Sequence, residues 1–459
     1  MSDRPDSGLQ PVEPRHNGLK PIVSQSGPGL YVHIPFCIRK CPYCDFASVP
    51  LPHPAAGGYV DAVLAEAMSL HCPEATRRPR QPHPPALRQA QGRSPSPLAE
   101  RGWSLAQPGA GGEVVLAQHG DDGDAVLAEA ERDAAGWAFP TVFVGGGTPT
   151  ALPADDLSRL LRGLRSVCHI APDAEVTVEA NPGTLDARKV EALADRGATR
   201  LSIGVQSFND LTLRTLGRIH LSADAVAAIE LASSFPSFSV DLMFGVPGQS
   251  VADAVADASQ AVDLGAQHVS AYALTYEAGT PLERSVRAGR VARLPEDVEL
   301  RMFESVGATL EAAGLARYEV SNFARPGSEC AHNLNYWKCG EYVGLGAAAH
   351  SHTADERRWN VSDPTEYQEA VLAGRSPVAG REPLTPRSRY LEHLMLGLRM
   401  TRGVEWATLR QLADAAGEAD LLTRVRLQAE RGLVELAGEH LRLTGRGLLV
   451  ADSVIAALA

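Results

Sequence analysis

FPTVFVGGGTPTALPADDLSRLLRGLRSVC, residues 139–168, carries the rhythm from which the fold is read. An apolar, β-branched and aromatic run suits a buried strand. Three glycines then make a turn, and leucines three and four apart suit an amphipathic helix. The rhythm continues downstream. AEVTVEANP (174–182), TRLSIGVQS (199–207), FSVDLMFGVP (238–247) and HVSAYALTY (268–276) read as strands, and ARKVEALADRG, SADAVAAIELASS and VADAVADASQAVDLG read as helices. Upstream, GLYVHIP (29–35) adds a first strand, and a helix pattern occupies about 57–71. Six strands alternating with helices predict an α/β chain with a parallel sheet. The expected architecture is a partial (β/α)6 barrel, with an open doubly wound sheet as the alternative.

The chain has 459 residues and a net charge of −12, which argues against nucleic acid as a partner. No run of about 18 apolar residues suggests a membrane span, so the expectation is a cytoplasmic protein that is not a membrane protein. Residues 1–28 are polar and rich in Pro and Gly and are expected to form a flexible tail. Residues 77–112 are proline-rich, basic and low in complexity, and read as an insertion without chemistry or as a basic docking segment. The barrel and its extension are expected over 29–352, a linker over 353–384, and a mostly helical, winged-helix-like domain over 385–459. The acidic balance favours packing or substrate covering over DNA binding for that last domain. Seven cysteines, an odd number, do not resemble a disulfide framework. Cys72, Cys168, Cys330 and Cys339 read as plain thiols.

Cys37, Cys41 and Cys44 differ from these four. They fall in FCIRKCPYCDF (36–46), straight after the first strand, with spacing C-x3-C-x2-C. Thiolates hold soft centres. A structural zinc ion closes with four protein ligands, and iron–sulfur cubanes normally take four thiolates. Three cysteines leave one iron of a cubane for a small molecule. Zinc with a distant fourth ligand is the alternative.

The triad after the first strand, with Tyr43 before its last cysteine, resembles the radical S-adenosylmethionine (SAM) superfamily. That resemblance implies a [4Fe-4S] cluster on Cys37, Cys41 and Cys44 whose open iron is chelated by the amine and carboxylate of SAM. An electron from the cluster then cleaves SAM to a deoxyadenosyl radical. Gly145, Gly146, Gly147, Thr148 and Pro149 resemble the loop that holds the SAM amine. Glycine there lets backbone polar groups approach a ligand. Glu179, in VEANP, becomes a candidate for the ribose hydroxyls, or else a plain carboxylate. Tyr31 resembles the tyrosine that borders SAM. Gln206, Arg218 and Asp241 sit on or after core strands. They read as a polar wall to the SAM pocket, or Asp241 and Arg218 as a pair bracing the barrel.

GVQSFND, LGRIH and DLMFGVPGQ together resemble the oxygen-independent coproporphyrinogen III oxidase family, from about 29 to 459. Its oxidase branch resembles C-x3-C-x2-C-x-C and has a longer substrate-binding segment before the triad. Here Phe46 stands at the place of the extra cysteine, which points to the heme chaperone branch. AHNLNYW (331–337) resembles that branch's H-N-x-x-Y-W motif. The resemblance implies heme as a ligand at His332, with Asn333, Tyr336 and Trp337 around it. A neutral imidazole is a sound axial ligand, and aromatic rings can cover a porphyrin. A core motif that satisfies backbone groups remains the alternative, and His350 and His352 are rival ligands. The expected function is a heme carrier that hands heme to an acceptor, respiratory or membrane-associated, and draws on an electron donor. Oxidative decarboxylation of coproporphyrinogen III and a radical SAM reaction on another substrate are the competing readings.

Overall fold

The computed structural model describes residues 27–70 and 138–459. The 77–112 segment, Cys72 and nearly all of the expected tail lie outside the described residues. The first elements are β1 (Gly29–Ile34), β2 (Phe36–Cys37), β3 (Val49–Pro50), α1 (Tyr59–Ser69), β4 (Phe139–Gly146), α2 (Ala154–Val167), β5 (Ile170–Ala180) and α3 (Ala187–Asp195). Then come β6 (Arg200–Gln206), α4 (Asp210–Thr215), α5 (Ser222–Ala232), β7 (Ser237–Phe244), α6 (Val251–Asp263) and β8 (His268–Ala273). Local chemistry starts the helices: Asp186 caps α3, and Ser250 with Asp253 forms a capping box on α6.

Strands β1, β4, β5, β6, β7 and β8 pair in that order, all parallel. Each lies beside its predecessor. A doubly wound sheet reverses its strand order at a switch point, and no reversal occurs here. The sheet is therefore the open arc of an incomplete barrel, and the doubly wound alternative falls.

The two faces of the arc differ in chemistry, as period-two alternation requires. Leu30, Val32, Val142, Val144, Val176, Val178, Leu201, Ile203 and Val240 join buried residues of the surrounding helices in one apolar cluster. Leu157, Leu160, Leu161 and Leu164 of α2 contribute their buried stripe to it. The alternate positions, among them Tyr31, Thr141, Glu175, Thr177, Glu179, Arg200, Ser202, Ser239 and Asp241, face inward and are mostly polar.

Three features depart from the expectation. A seventh parallel strand, β11 (Tyr342–Leu345), lies on the far side of β1, with Gly29 opposite Tyr342. It follows β9 (Ala316–Arg317), β10 (Asn322–Ala324) and helices α7 (Pro281–Arg287), α8 (Glu296–Ala312) and α9 (Ala331–Trp337). Second, the sheet grows to twelve strands through β9 and β10 at one edge and β12 (His350–His352), β13 (Glu356–Asn360) and β14 (Val378–Pro383) at the other. Third, residues 353–384 are not a bare linker, since they hold β13, α10 (Pro364–Leu372) and β14. Charges match across the antiparallel pair: Arg357 meets Glu382 at 3.0 Å and Arg381 meets Glu356 at 2.8 Å.

The C-terminal elements are α11 (Pro386–Gly397), β15 (Val404–Glu405), α12 (Trp406–Ala416), α13 (Leu421–Glu430), β16 (Val434–Ala437), β17 (His440–Leu443), α14 (Gly445–Leu448) and α15 (Ala451–Leu458). Helices around a small β15-β17-β16 sheet give a winged-helix-like unit. Its own apolar cluster includes Tyr390, Leu394, Leu409, Val425, Leu441 and Val454. Backbone hydrogen bonds from Val320 N to Arg399 O and from Thr401 N to Tyr318 O, each 3.1 Å, tie it to the barrel.

Candidate functional site

The cysteine loop leaves the C-terminal end of β1 and is held by groups other than its thiols. β2 and β3 pair in parallel around it. Leu51 N donates to Cys37 O at 2.7 Å, and Cys44 N to Cys41 O at 3.1 Å. Lys40 Nζ donates to Phe46 O at 2.8 Å, and Arg39 Nη2 reaches Arg218 O at 3.2 Å. The Nε2 of His33 is 2.9 Å from Ala47 O. Cys37, Cys41 and Cys44 are free and half-buried. Desolvation raises the thiol of Cys37 and pushes that of Cys44 up to about 11. The donor set fits a thiolate-held cluster: three neighbouring thiols on one pinned loop. Among the described residues no three His, Cys, Asp or Glu side chains converge on one ion.

The glycine turn after β4 lies against this loop. Gly147 N donates to Ile34 O and Thr148 N to Phe36 O, both at 2.8 Å. A Cβ on Gly146 would lie 2.5 Å from the His33 ring, and one on Gly145 would lie 2.9 Å from the Glu179 carboxylate. Gly146 also has φ +111, open to glycine and strained for other residues. Its N–H donates to Glu179 Oε2 at 3.0 Å. Desolvation, with repulsion from Asp241, pushes Glu179 up to about 8. Thr148 Oγ1 lies 3.6 Å from Cys37 Sγ and accepts from Asn181 Nδ2 at 3.0 Å.

Arg218 links the loop to the strand ends. Its Nη1 lies 3.7 Å from Cys41 Sγ and 3.4 Å from the Tyr43 hydroxyl. Its Nη2 donates to Gly204 O at 2.6 Å and to Asn181 Oδ1. The brace between Asp241 and Arg218 is not formed. Asp241 instead accepts from Ser202 Oγ at 3.2 and 3.1 Å, and desolvation raises its carboxyl. Gln206 ends β6 at φ +69, a left-handed conformation rare for its type and concentrated at functional sites. A cavity of about 590 Å3 opens beside the loop, and Arg39, Lys40, Arg214 and Arg218 line it. Tyr31, Tyr43, Gly146, Gly147, Thr148, Glu179, Gln206, Arg218 and Asp241 thus all belong to the inner or C-terminal side of one arc.

The AHNLNYW segment folds as α9 and lies across the inner face near the strand starts. Glu175 of β5 accepts from Ala331 N at 3.0 Å and His332 N at 3.1 Å, capping the helix. His332 is fully buried. Its Nδ1 is 2.9 Å from Thr141 Oγ1, and its Nε2 is 2.9 Å from the Tyr336 hydroxyl. Its ring stacks on Phe143 at 5.3 Å and on Tyr31 at 6.5 Å. Desolvation lowers it to about 3, so it is neutral. Trp337 is buried too. In this conformation α9 is packed into the core, and both ring nitrogens of His332 are engaged by hydroxyls. Asn333 and Tyr336 are half-buried on the same helix. His350 stacks on Trp359 at 5.9 Å.

Sequence reasoning passed over His33, Thr141, Glu175, Asn181 and Ser202. All but Asn181 sit two residues, or a multiple of two, from a predicted residue on the same strand or on the inner register of the next. Alternation was the signal that could have found them.

The thiol loop, the glycine turn and the sequential barrel arc define a radical SAM protein. The Radical SAM superfamily model matches residues 120–261, and the HemN C-terminal domain model matches residues 384–450. The chain is similar to the heme chaperone HemW of Mycobacterium tuberculosis, 37% identical over 96% of this chain and 97% of that one. HemW of Bacillus subtilis is 30% identical over 93% of this chain and 98% of its own. The bovine mitochondrial radical S-adenosyl methionine domain-containing protein 1 is 34% identical over 98% and 91%. This chain therefore belongs to the HemW family. In fold it is similar to the Escherichia coli coproporphyrinogen III oxidase HemN, with a TM-score of 0.71 at 21% identity, covering 94% of this chain and 90% of that one.

Proposed function

We propose that this protein is a heme chaperone: it binds heme and releases it to an acceptor protein. The observation that carries the reading is similarity along 96% of the chain to a relative named a heme chaperone. Phe46, 51% exposed where the oxidase branch resembles a further cysteine, supports it against coproporphyrinogen decarboxylation.

In this reading Cys37, Cys41 and Cys44 hold the [4Fe-4S] cluster, and the cluster with SAM supplies one-electron chemistry when bound. The chain's own residues do the rest. The glycine turn pins the loop, and Arg218 sets a cation against Cys41. Glu179 takes a hydroxyl pair, with Gly146 N holding one of its oxygens. Tyr31 and Tyr43 border SAM, Thr148 supports Cys37, and Gln206 with Asp241 completes the polar wall. The cations beside the loop favour an acidic electron donor. Among the described residues no helix is long and apolar enough to cross a membrane. The proposed carrier works in the cytoplasm and hands heme to a respiratory, membrane-associated acceptor. Of the expected heme residues, His332 and Trp337 are enclosed, so a place at the iron itself requires α9 to swing out.

The test is anaerobic incubation of the reconstituted protein with coproporphyrinogen III, SAM and dithionite. The expected result is no decarboxylated porphyrin above a cluster-free control. Turnover would move the reading to the oxidase.

A further inference from the structure

The thiol loop shows its outer side to solvent. Ile38, Arg39 and Lys40 fall between Cys37 and Cys41, and all three are exposed. The segment after α4 lies against this loop. Arg39 Nη2 donates to the carbonyls of Gly217 and Arg218, and a Cβ on Gly217 would lie 2.6 Å from Pro42 Cδ. The cavity of about 590 Å3 at this junction is lined by Arg39, Lys40, Arg214 and Arg218, and no carboxylate is among its lining residues.

The charge here runs against that of the chain. The net charge is −12, and elsewhere surface arginines meet carboxylates. Arg188 meets Asp155 at 3.0 Å, and Arg301 meets Asp297 at 2.7 Å. Arg39, Lys40 and Arg214 form no ion pair among the described residues. Arg39 and Lys40 are held by carbonyls instead, Lys40 Nζ by Phe46 O at 2.8 Å and Ser48 O at 3.4 Å. A carbonyl fixes the position of a cation and leaves its charge uncancelled. These side chains are therefore ordered before a partner arrives, which lowers the entropy lost on binding. Asp210, one turn before Arg214 on α4, is spent on Ser222 N at 2.8 Å. Asp45 is the one acid of the 36–46 loop.

Apolar side chains stand among the cations. Ile38 is 47% exposed, Phe46 51% and Ile219 42%. Ile38 adjoins Arg39, Ile219 adjoins Arg218, and the carbonyl of Phe46 holds Lys40. Apolar anchors with charge around them are the composition of a protein-binding face. An anionic lipid surface suits the same chemistry, and the position decides between the two. Arg218 Nη1 lies 3.7 Å from Cys41 Sγ, so a partner seated on the cavity is one side chain away from a cluster thiol. A lipid surface has no electron to give there.

We propose that the face formed by Ile38, Arg39, Lys40, Phe46, Arg214 and Ile219 is the docking surface of an acidic one-electron carrier protein. The carrier, a reduced flavin or iron–sulfur protein, passes one electron to the cluster and is itself oxidised by one electron. This rests on the assignment of the cluster to Cys37, Cys41 and Cys44. The test is anaerobic reduction of the full-length, cluster-reconstituted protein, read as the electron paramagnetic resonance signal of the reduced cluster after rapid freezing. The probe is reduced flavodoxin, an acidic flavoprotein. Photoreduced deazariboflavin, small and uncharged, is the reductant that needs no docking. Wild type is compared with Arg214→Glu and Ile219→Ser, because Arg39 and Lys40 also pin the loop. The expected flavodoxin rate falls with added salt in wild type and is lower by about tenfold in Arg214→Glu at low salt. It is lower in Ile219→Ser at every salt concentration, and the deazariboflavin rate is the same in all three proteins. Equal flavodoxin rates in wild type and both variants would overturn the docking face. Loss of binding to phosphatidylglycerol–phosphatidylcholine vesicles in Arg214→Glu, with an unchanged flavodoxin rate, would overturn it in favour of a lipid surface. A wild-type protein that gives no cluster signal with either reductant would instead overturn the cluster assignment beneath it.

Discussion

At Cys37 and Cys44 the folded chain presents protonated thiols, since burial raises both and takes Cys44 to about 11. Iron must displace those protons, so cluster assembly releases acid and is favoured by higher pH. Replacing Cys37, Cys41 or Cys44 by Ala is expected to abolish the visible absorbance of the cluster while the fold persists. Full iron content in any of the three would contradict the assignment. Glu179 supplies a second residue-scale expectation. Its carboxyl sits at about 8 in the fold against an ordinary 4.5, so the folded state holds a proton that the unfolded chain has lost between those values. The contribution is complete below about 4.5 and fades as pH rises through about 8. Melting temperatures of the metal-free protein across that window should fall less with pH in Glu179→Gln than in wild type. Parallel curves would show that Glu179 is not the desolvated group.

At the scale of elements, the strands of the arc were legible because β-branched runs ending in glycine or polar turns repeat with helices between them. β1, β4 and β6 fall within one residue of their expected ranges, and β7 and β8 end three residues before the expected ends. β11 was not legible. It has four residues, Tyr342–Leu345, and the element that follows it is the antiparallel strand β12 rather than a helix. β13 and β14 were missed for another reason: their charges are matched across two strands, a pattern that no periodicity of a single segment displays. α9 is the element whose meaning the sequence left most open, because its motif marks the residues but not the side they face. Glu175 caps it through two N–H groups, so Glu175→Ala is expected to loosen α9 and cost about 1–2 kcal/mol of stability. Denaturant unfolding reads that loss, and an unchanged midpoint would mean that packing of His332 and Trp337 alone holds the helix.

In the whole molecule, two apolar clusters carry two units, one built on the barrel arc and one on Tyr390–Leu458. The inner face of the arc is polar where many barrels are filled with branched aliphatics, which sets a polar column beneath the cysteine loop. The cofactor side of the site was readable from spacing and from the ends of strands. The heme side was readable only as a motif. The motif helix α9 meets β4 and β5 in space through His332–Thr141 and the N–H groups that Glu175 accepts, and that meeting joins residues far apart in the chain. The central claim is that the folded protein is a stoichiometric carrier of heme. It is tested most directly by anaerobic hemin titration of the wild-type, cluster-reconstituted protein, followed in the Soret band. Saturation at about one heme per chain is the predicted result, and a linear, non-saturating response equal to that of an unrelated control protein would contradict it.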